Sequence, residues 1–441
     1  MNEISIGSFL INDMKEYAQY DNVRKIPKLV DGLKDSQRKA IFGLATFCKD
    51  GQLKVSQIGE MTSERTNYKH GGESLQGAIA LMACDYTGSN NMPMFLKDGQ
   101  FGNRISSDSA AFRYIYVSQH ENFRKLFLKK HEISLNYVFD EGEYREPVSY
   151  NPLIPLWILN GTIGIGNGYS STIFCRDVKN IKTYIEAKLN NKNIHTKTID
   201  NLLTPSFNGY TGSIEKVEEN RYIQHGVFKR INKNNLIITE VPTKYYLDDY
   251  KKILIKLLED KVIKDFNVIA TDNNLTFEIE HPRELSEKTD EQLMTLFKLS
   301  VSMKDNVVLF NSDDKLQEYD NIQHALDDFI ANRLVEYDKY RLVKIYDIEA
   351  KIEFALAKIK FIEFWNSAKD VHKMSKEEIL EKINDSIVSD NISSYMQMSI
   401  SSLTQKHIDS LNADVLKLKD DLQYHKDSTP SSLYLDDLKG L

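Results

Sequence analysis

Hydrophobic spacing divides the chain into stretches of different period. In residues 36–50, Ala40, Ile41, Leu44 and Phe47 fall on one helical stripe, with Asp35 ahead of them as a cap. Leu75, Ala78, Ile79 and Met82 form a second stripe and predict a helix over ESLQGAIALMACDY. The run MFLKDGQFGNRIS then reads as a strand, a Gly-rich turn and another strand. Helix, helix and β-wing in this order predict a winged helix-turn-helix. Over residues 145–315 the period shortens to two in runs such as NLIITEVP and NLTFEIEHP, which predicts an α/β domain with one or two helices.

From Asn321 onward the pattern is helical. Ile345, Ile348, Ile352, Ala355, Ile359 and Ile362 make a heptad seam, and Leu411, Val415, Leu418 and Leu422 repeat it after the polar stretch NISSYMQMSISSLTQKH. Two such helices predict a long antiparallel coiled-coil arm with a small helical tip. The fold expected is mixed α+β and multidomain. It comprises an N-terminal arm over 1–20, a winged-helix domain over 21–144, an α/β domain over 145–315 and the arm over 316–441.

A length of 441 residues suits two to four domains, and 41% hydrophobic with 27% charged residues is ordinary for a globular chain. No apolar run approaches a membrane span, and the N-terminus lacks a signal pattern. The scattered Cys48, Cys84 and Cys175 read as reduced thiols of a cytoplasmic protein. The net charge of −7 is unevenly spread: residues 21–130 hold 17 Lys+Arg against 11 Asp+Glu, so the excess of acid lies elsewhere. A basic segment on an acidic chain is the footprint of a local DNA-binding surface.

The candidate chemistry is sparse. No GxxxxGK[ST] loop occurs, so a Walker-type ATPase is excluded, and no Cys/His cluster suggests zinc. NGTIGIGNGYSS follows the apolar strand-like LIPLWIL but misses GxGxxG spacing; its glycines suit close approach to a ligand. SAAFRYIYV, residues 109–117, holds Tyr114 and Tyr116 directly after Arg113. In an extended segment both tyrosines share a face, and alternation alone does not choose between them.

Four ordered segments carry a resemblance: VDGLKDSQRKAI, YKHGGESLQGAI, DGQFGNRISSDSAAFRYIYV and ILNGTIGIGNGYSS. From about Arg24 to its end the chain resembles the breakage–reunion subunits of type IIA DNA topoisomerases, of the gyrase A and ParC kind. Its layout is most similar to the medium subunits of T-even-type phage enzymes, whose compartment is the host bacterial cytoplasm. The middle domain then corresponds to a tower, and the arm's tip to a dimerisation gate.

The resemblance implies that Tyr114 is the nucleophile, forming a 5′-phosphotyrosyl bond with DNA, and that Tyr116 is structural. A phenol, with pKa near ~10, needs neighbouring charge to react. Arg113 and Arg38 are implied as the stabilising cations and His70 as an aid to proton transfer. Ile165 corresponds to a wedge between base pairs. Asn160, Lys34, Lys39, Lys69, Ser74 and Arg104 are implied DNA contacts, and no metal site is expected on this chain. Mg2+ and ATP are expected on a large partner subunit. The chain should pair as a homodimer through the winged-helix region and the arm's tip, on double-stranded DNA and away from membranes. The rival from another class is a non-catalytic DNA-binding dimeriser of the same fold.

Overall fold

The computed structural model describes residues 5–49, 51–367, 374, 375, 378 and 403–441. It is mixed α/β and divides into two compact units, Met1–Arg333 with Leu435–Leu441, and Leu334–Tyr434.

The first unit opens with a helical segment ending in the helix Lys15–Lys25. Helices Asp35–Phe47, Val55–Arg65 and Gly72–Ala83 then pack on one another. Lys34, not Asp35, takes the cap position of the first of these. The middle helix escapes the sequence pattern because its buried stripe is Val55, Ile58, Gly59 and Thr62, half of it small or polar. These three helices sit with a three-stranded antiparallel sheet, in which Tyr116–Gln119 lies between Leu53–Lys54 and Phe95–Asp98.

The strand expected around Arg104 does not form. Residues 99–115 are a loop because Gly99 and Gly102 sit at φ +108° and +95° and because Asn103 Oδ1 accepts the amides of Ile105 and Ser106. The true partner strand starts at Tyr116. LIPLWIL likewise corrects to a short helix, Leu156–Leu159, all of it buried, where continuous apolarity hides the period. The glycine-rich run after it is a β-hairpin, Thr162–Ile165 paired with Ser170–Ile173.

Beyond the hairpin lie a four-stranded antiparallel sheet and a three-stranded one. Asn235–Glu240 and Leu275–Glu280 pair in the former, with Leu236, Ile238, Phe277 and Ile279 inward in strict alternation. The helices Val178–Leu189, Thr196–Leu203, Leu247–Glu259 and Asp290–Leu296 outnumber the one or two expected.

In the second unit, Ile348, Ile352, Ala355, Ile359 and Ile362 of the helix Ile322–Ser367 pack on Ile408, Val415, Leu411, Leu418 and Leu422 of Gln405–Asp427. Tyr337 stacks on Tyr434 at 4.9 Å and Lys426 pairs with Glu349 at 2.7 Å. Most of the stretch expected to form the tip, NISSYMQMSISSLTQKH, lies outside the described residues.

Candidate functional site

Tyr114 is a turn residue, not a strand residue. Its amide donates to Ala111 O at 2.9 Å, and the carbonyls on either side are taken by the helix behind it: Ser56 N–H donates to Phe112 O and Val55 N–H to Ile115 O. Ile115 is buried beneath, so the turn is pinned while the Tyr114 ring stands 69% exposed. The Arg113 guanidinium, itself exposed, lies 5.4 Å from the centroid of that ring. Tyr116 begins the strand, paired with Lys54 and Asp98, and is half-buried with the Lys54 ammonium 5.9 Å from its ring. Strand alternation therefore does not relate the two tyrosines. A phenol free to meet a ligand is found at Tyr114, and a phenol built into a sheet at Tyr116. Phe112 also lies beside Gly77, where a Cβ would come 4.0 Å from its ring, so the tyrosine's turn abuts the helix Gly72–Ala83.

His70 and Lys69 immediately precede that helix, whose amino end is electropositive. The hydroxyl of Tyr20 lies 2.6 Å from His70 Nε2, and Tyr68 meets the imidazole edge-on at 5.2 Å. Partial burial first, then the charges of Arg24 and Lys39, hold the His70 pKa below its ordinary value, against an opposing pull from Asp35. Lys69 is exposed. Ser74, in the helix's first turn, accepts a long hydrogen bond from the Tyr68 hydroxyl at 3.5 Å. No hydrogen bond, ion pair or ring contact joins Tyr114 to His70 among the described residues.

Arg38 is not placed as the sequence suggested. It is 6% exposed, donating from Nε to Asp31 Oδ2 at 2.8 Å and from Nη2 to Asp31 Oδ1 and to Leu33 O at 3.1 and 2.9 Å. Burial opposes its charge, but the carboxylate beside it wins and its pKa is raised. Asp31, wholly buried, also accepts the amides of Leu33 and Tyr150. The motif VDGLKDSQRK is therefore a structural knot, tightened by Gly32 at φ +75°, where a Cβ would meet Trp157 N at 2.3 Å.

Other expected DNA contacts are also engaged within the chain. Lys39 bonds Glu146 and Thr66 O. Arg104 is buried, donating to Val241 O at 2.6 Å and Thr243 O at 3.1 Å. Asn160 spends both ends of its amide on the Met92 backbone, at 2.7 and 2.8 Å. Lys34 Nζ reaches Ile163 O at 2.6 Å, and burial lowers its pKa. These four hold the fold together, and reaching a phosphate would break those bonds.

A further cation, not singled out from the sequence, is Arg24, in the last turn of Lys15–Lys25. It is half-exposed, its guanidinium 5.8 Å from the Tyr20 ring centroid, with no ion pair among the described residues. Its signal was faint: an arginine four positions after Tyr20, on the same helical face.

Ile165 ends its hairpin strand 72% exposed, and Ile163, two positions before it on the same face, is 67% exposed. The hairpin glycines correct the expectation of an approaching ligand. A Cβ on Gly164 would meet Lys25 O at 2.1 Å and one on Gly166 would meet Asn22 Oδ1 at 2.0 Å. What approaches them is the helix Lys15–Lys25. Asn22 completes the clasp, accepting from Asn167 N and donating to Asn167 O at 2.8 and 3.1 Å.

An exposed phenol beside an arginine, an imidazole at a positive helix end and an exposed apolar hairpin together suit chemistry on a polyanion. The chain belongs to the family of DNA gyrase/topoisomerase IV A subunits, whose model matches residues 24–439. It is similar to the mitochondrial DNA topoisomerase 2 of Dictyostelium discoideum, 32% identical over 458 residues, covering 100% of this chain and 35% of that protein. It is also similar to the DNA topoisomerase 2 of Invertebrate iridescent virus 6, at 28% identity, covering 100% of this chain and 39% of the relative. The chain thus spans about a third of the length of these relatives. The solved DNA-binding, cleavage and re-ligation domain of Plasmodium falciparum topoisomerase II matches it with a TM-score of 0.88 at 29% identity, over 99% of this chain and 64% of that one.

Proposed function

We propose that this chain is the DNA-cleaving part of a type II topoisomerase, acting through Tyr114. The observation that carries this is an exposed phenol on a pinned turn beside Arg113, in a chain of this family. Tyr114 Oη attacks a backbone phosphorus. The P–O3′ bond breaks as the tyrosyl O–P bond forms; the phenol gives up its proton and the departing 3′ oxygen takes one up. Resealing is the reverse, and the bond energy is kept throughout. Arg113 stabilises the charge on the phosphoryl oxygens, and Arg24 takes the part first expected of Arg38. His70 and Lys69 bind the backbone nearby, and Ile165 wedges the duplex.

The three helices and their sheet act here as a winged helix, the middle sheets as a tower, and the two helices of the second unit as an antiparallel coiled-coil arm. The proposal extends to a homodimer in which each protomer cuts one strand of double-stranded DNA, so that a second duplex can pass. The proposal assigns the ATP and Mg2+ functions to a large partner subunit. Among the described residues no three His, Cys, Asp or Glu side chains converge as a metal site. Among the same residues no helix is long and apolar enough to cross a membrane. Three buried free cysteines suit a reducing cytoplasm, including a host's if the source is viral.

The test is trapping of the covalent complex in the complete enzyme, followed by sequencing of the labelled peptide. Tyr114→Phe should bind DNA yet form no adduct, while Tyr116→Phe should still cleave. The reverse pattern would overturn the assignment.

A further inference from the structure

Tyr20 lies fifty positions from His70, and its hydroxyl makes the closest contact that imidazole has, 2.6 Å to Nε2. The two rings are 5.8 Å apart and tilted by 45°, and Tyr68 closes a second side at 5.2 Å. His70 is therefore oriented by two aromatic neighbours from different segments. The charged and titratable groups acting on it are Arg24 and Lys39, which disfavour its protonation, Asp35, which favours it, and the two tyrosines. A neutral imidazole carries one proton, and its position follows from the bond made by the other nitrogen. A phenol O–H is the better donor, which favours Nε2 as the acceptor and the proton on Nδ1. Nδ1 has no hydrogen-bond partner among the described residues.

We propose that Tyr20 is a positioning residue for His70, fixing the tautomer that offers Nδ1–H as a donor to a backbone phosphate. This rests on the part given above to His70. A phosphate oxygen accepts and never donates, so the opposite tautomer would meet it with a lone pair. Holding the proton on Nδ1 turns the imidazole into a hydrogen-bond donor without asking it to be charged.

The experiment uses the full chain with ¹⁵N-labelled histidine, the His70 signals being identified by their loss in His70→Gln. Long-range ¹H–¹⁵N spectra should show His70 with an unprotonated Nε2, and Tyr20→Phe should move it toward the Nε2–H form. In the complete enzyme, Tyr20→Phe should lower the yield of covalent DNA adduct about tenfold, roughly the value of one hydrogen bond to a charged group. It should have no further effect in a His70→Gln background. Tyr20 is 52% exposed, so the phenylalanine chain should melt with the wild type. An unchanged tautomer in Tyr20→Phe overturns the proposal, as does an equal loss of adduct in both backgrounds. A His70→Gln enzyme that cleaves like wild type removes His70 from the reaction and the proposal with it. The wild-type spectrum distinguishes that outcome from a failure of the Tyr20 contact.

Discussion

Replacing Arg38 with methionine separates a structural arginine from a catalytic one. The substitution keeps the stem and removes a guanidinium that makes three hydrogen bonds, two to Asp31 and one to Leu33 O. Asp31 would keep only the amides of Leu33 and Tyr150 while remaining wholly buried and charged. Breaking a buried pair from one side costs about 3–5 kcal/mol, mostly because the remaining charge loses its partner. Trp157 reports on this region locally: it is fully buried, and its indole donates to Leu29 O at 2.9 Å. In a Trp365→Phe background, urea unfolding followed by Trp157 fluorescence should show a midpoint lower by at least ~1 M. Arg24→Met, by contrast, removes a half-exposed cation and should move the midpoint by less than about 0.5 kcal/mol equivalent while abolishing the covalent adduct. Removing both Asp31 and Arg38, as Asp31→Leu with Arg38→Met, should cost less than the sum of the single losses. An Arg38→Met chain of undiminished stability that cannot cleave would refute the structural assignment.

Two further expectations test the hairpin and the buried histidine. Gly164→Ala must displace the Lys25 carbonyl and should destabilise by about 1–3 kcal/mol, whereas Ile165→Ala should leave stability unchanged and reduce DNA bending and cleavage more than binding; calorimetry beside a bending assay checks both. Burial, with the charges of Arg333 and Lys130 and against the pull of Asp437, lowers the His131 pKa to about 4. The unfolded chain takes up that proton near ~6.5, so the stability tied to His131 is full above that value and is lost as pH falls toward 4. Up to about 3 kcal/mol is at stake, and His131→Gln should flatten the melting temperature across that window.

What could be read from sequence depended on whether a residue's signal was local. The heptad seam of Ile348 to Ile362 pointed to the long helix Ile322–Ser367 because packing repeats along one face. Tyr114 could be singled out only through its motif, because its separation from Tyr116 depends on carbonyls captured by Val55 and Ser56, some sixty residues away. That Arg38, Arg104 and Lys39 are engaged within the chain was not legible, for one physical reason. Basic side chains raise the charge of a segment equally whether they face water or a buried carboxylate, and Asp31, Glu240 and Glu146 are their respective partners. The Asn160 amide is likewise engaged within the chain, serving Met92.

On the proposed reading, the motif VDGLKDSQRK acts on the chemistry from a distance. Its Asp31–Arg38 pair fixes the chain just after the helix Lys15–Lys25, and that helix carries three side chains of the proposed site. Asn22 clasps the hairpin bearing Ile165, Tyr20 holds His70, and Arg24 projects from the same last turns. Tyr20 and Asn22 are two positions apart, about 3 Å along a helix axis. The apolar hairpin and the imidazole are thus referenced to one rigid element rather than to two loops. Functional groups need placement within about 0.5 Å, and a shared helix supplies it with few intervening torsions. The glycines that let the hairpin backbone touch Lys25 and Asn22 serve that registration; a larger residue would lift the hairpin off the helix and move Ile165 relative to His70.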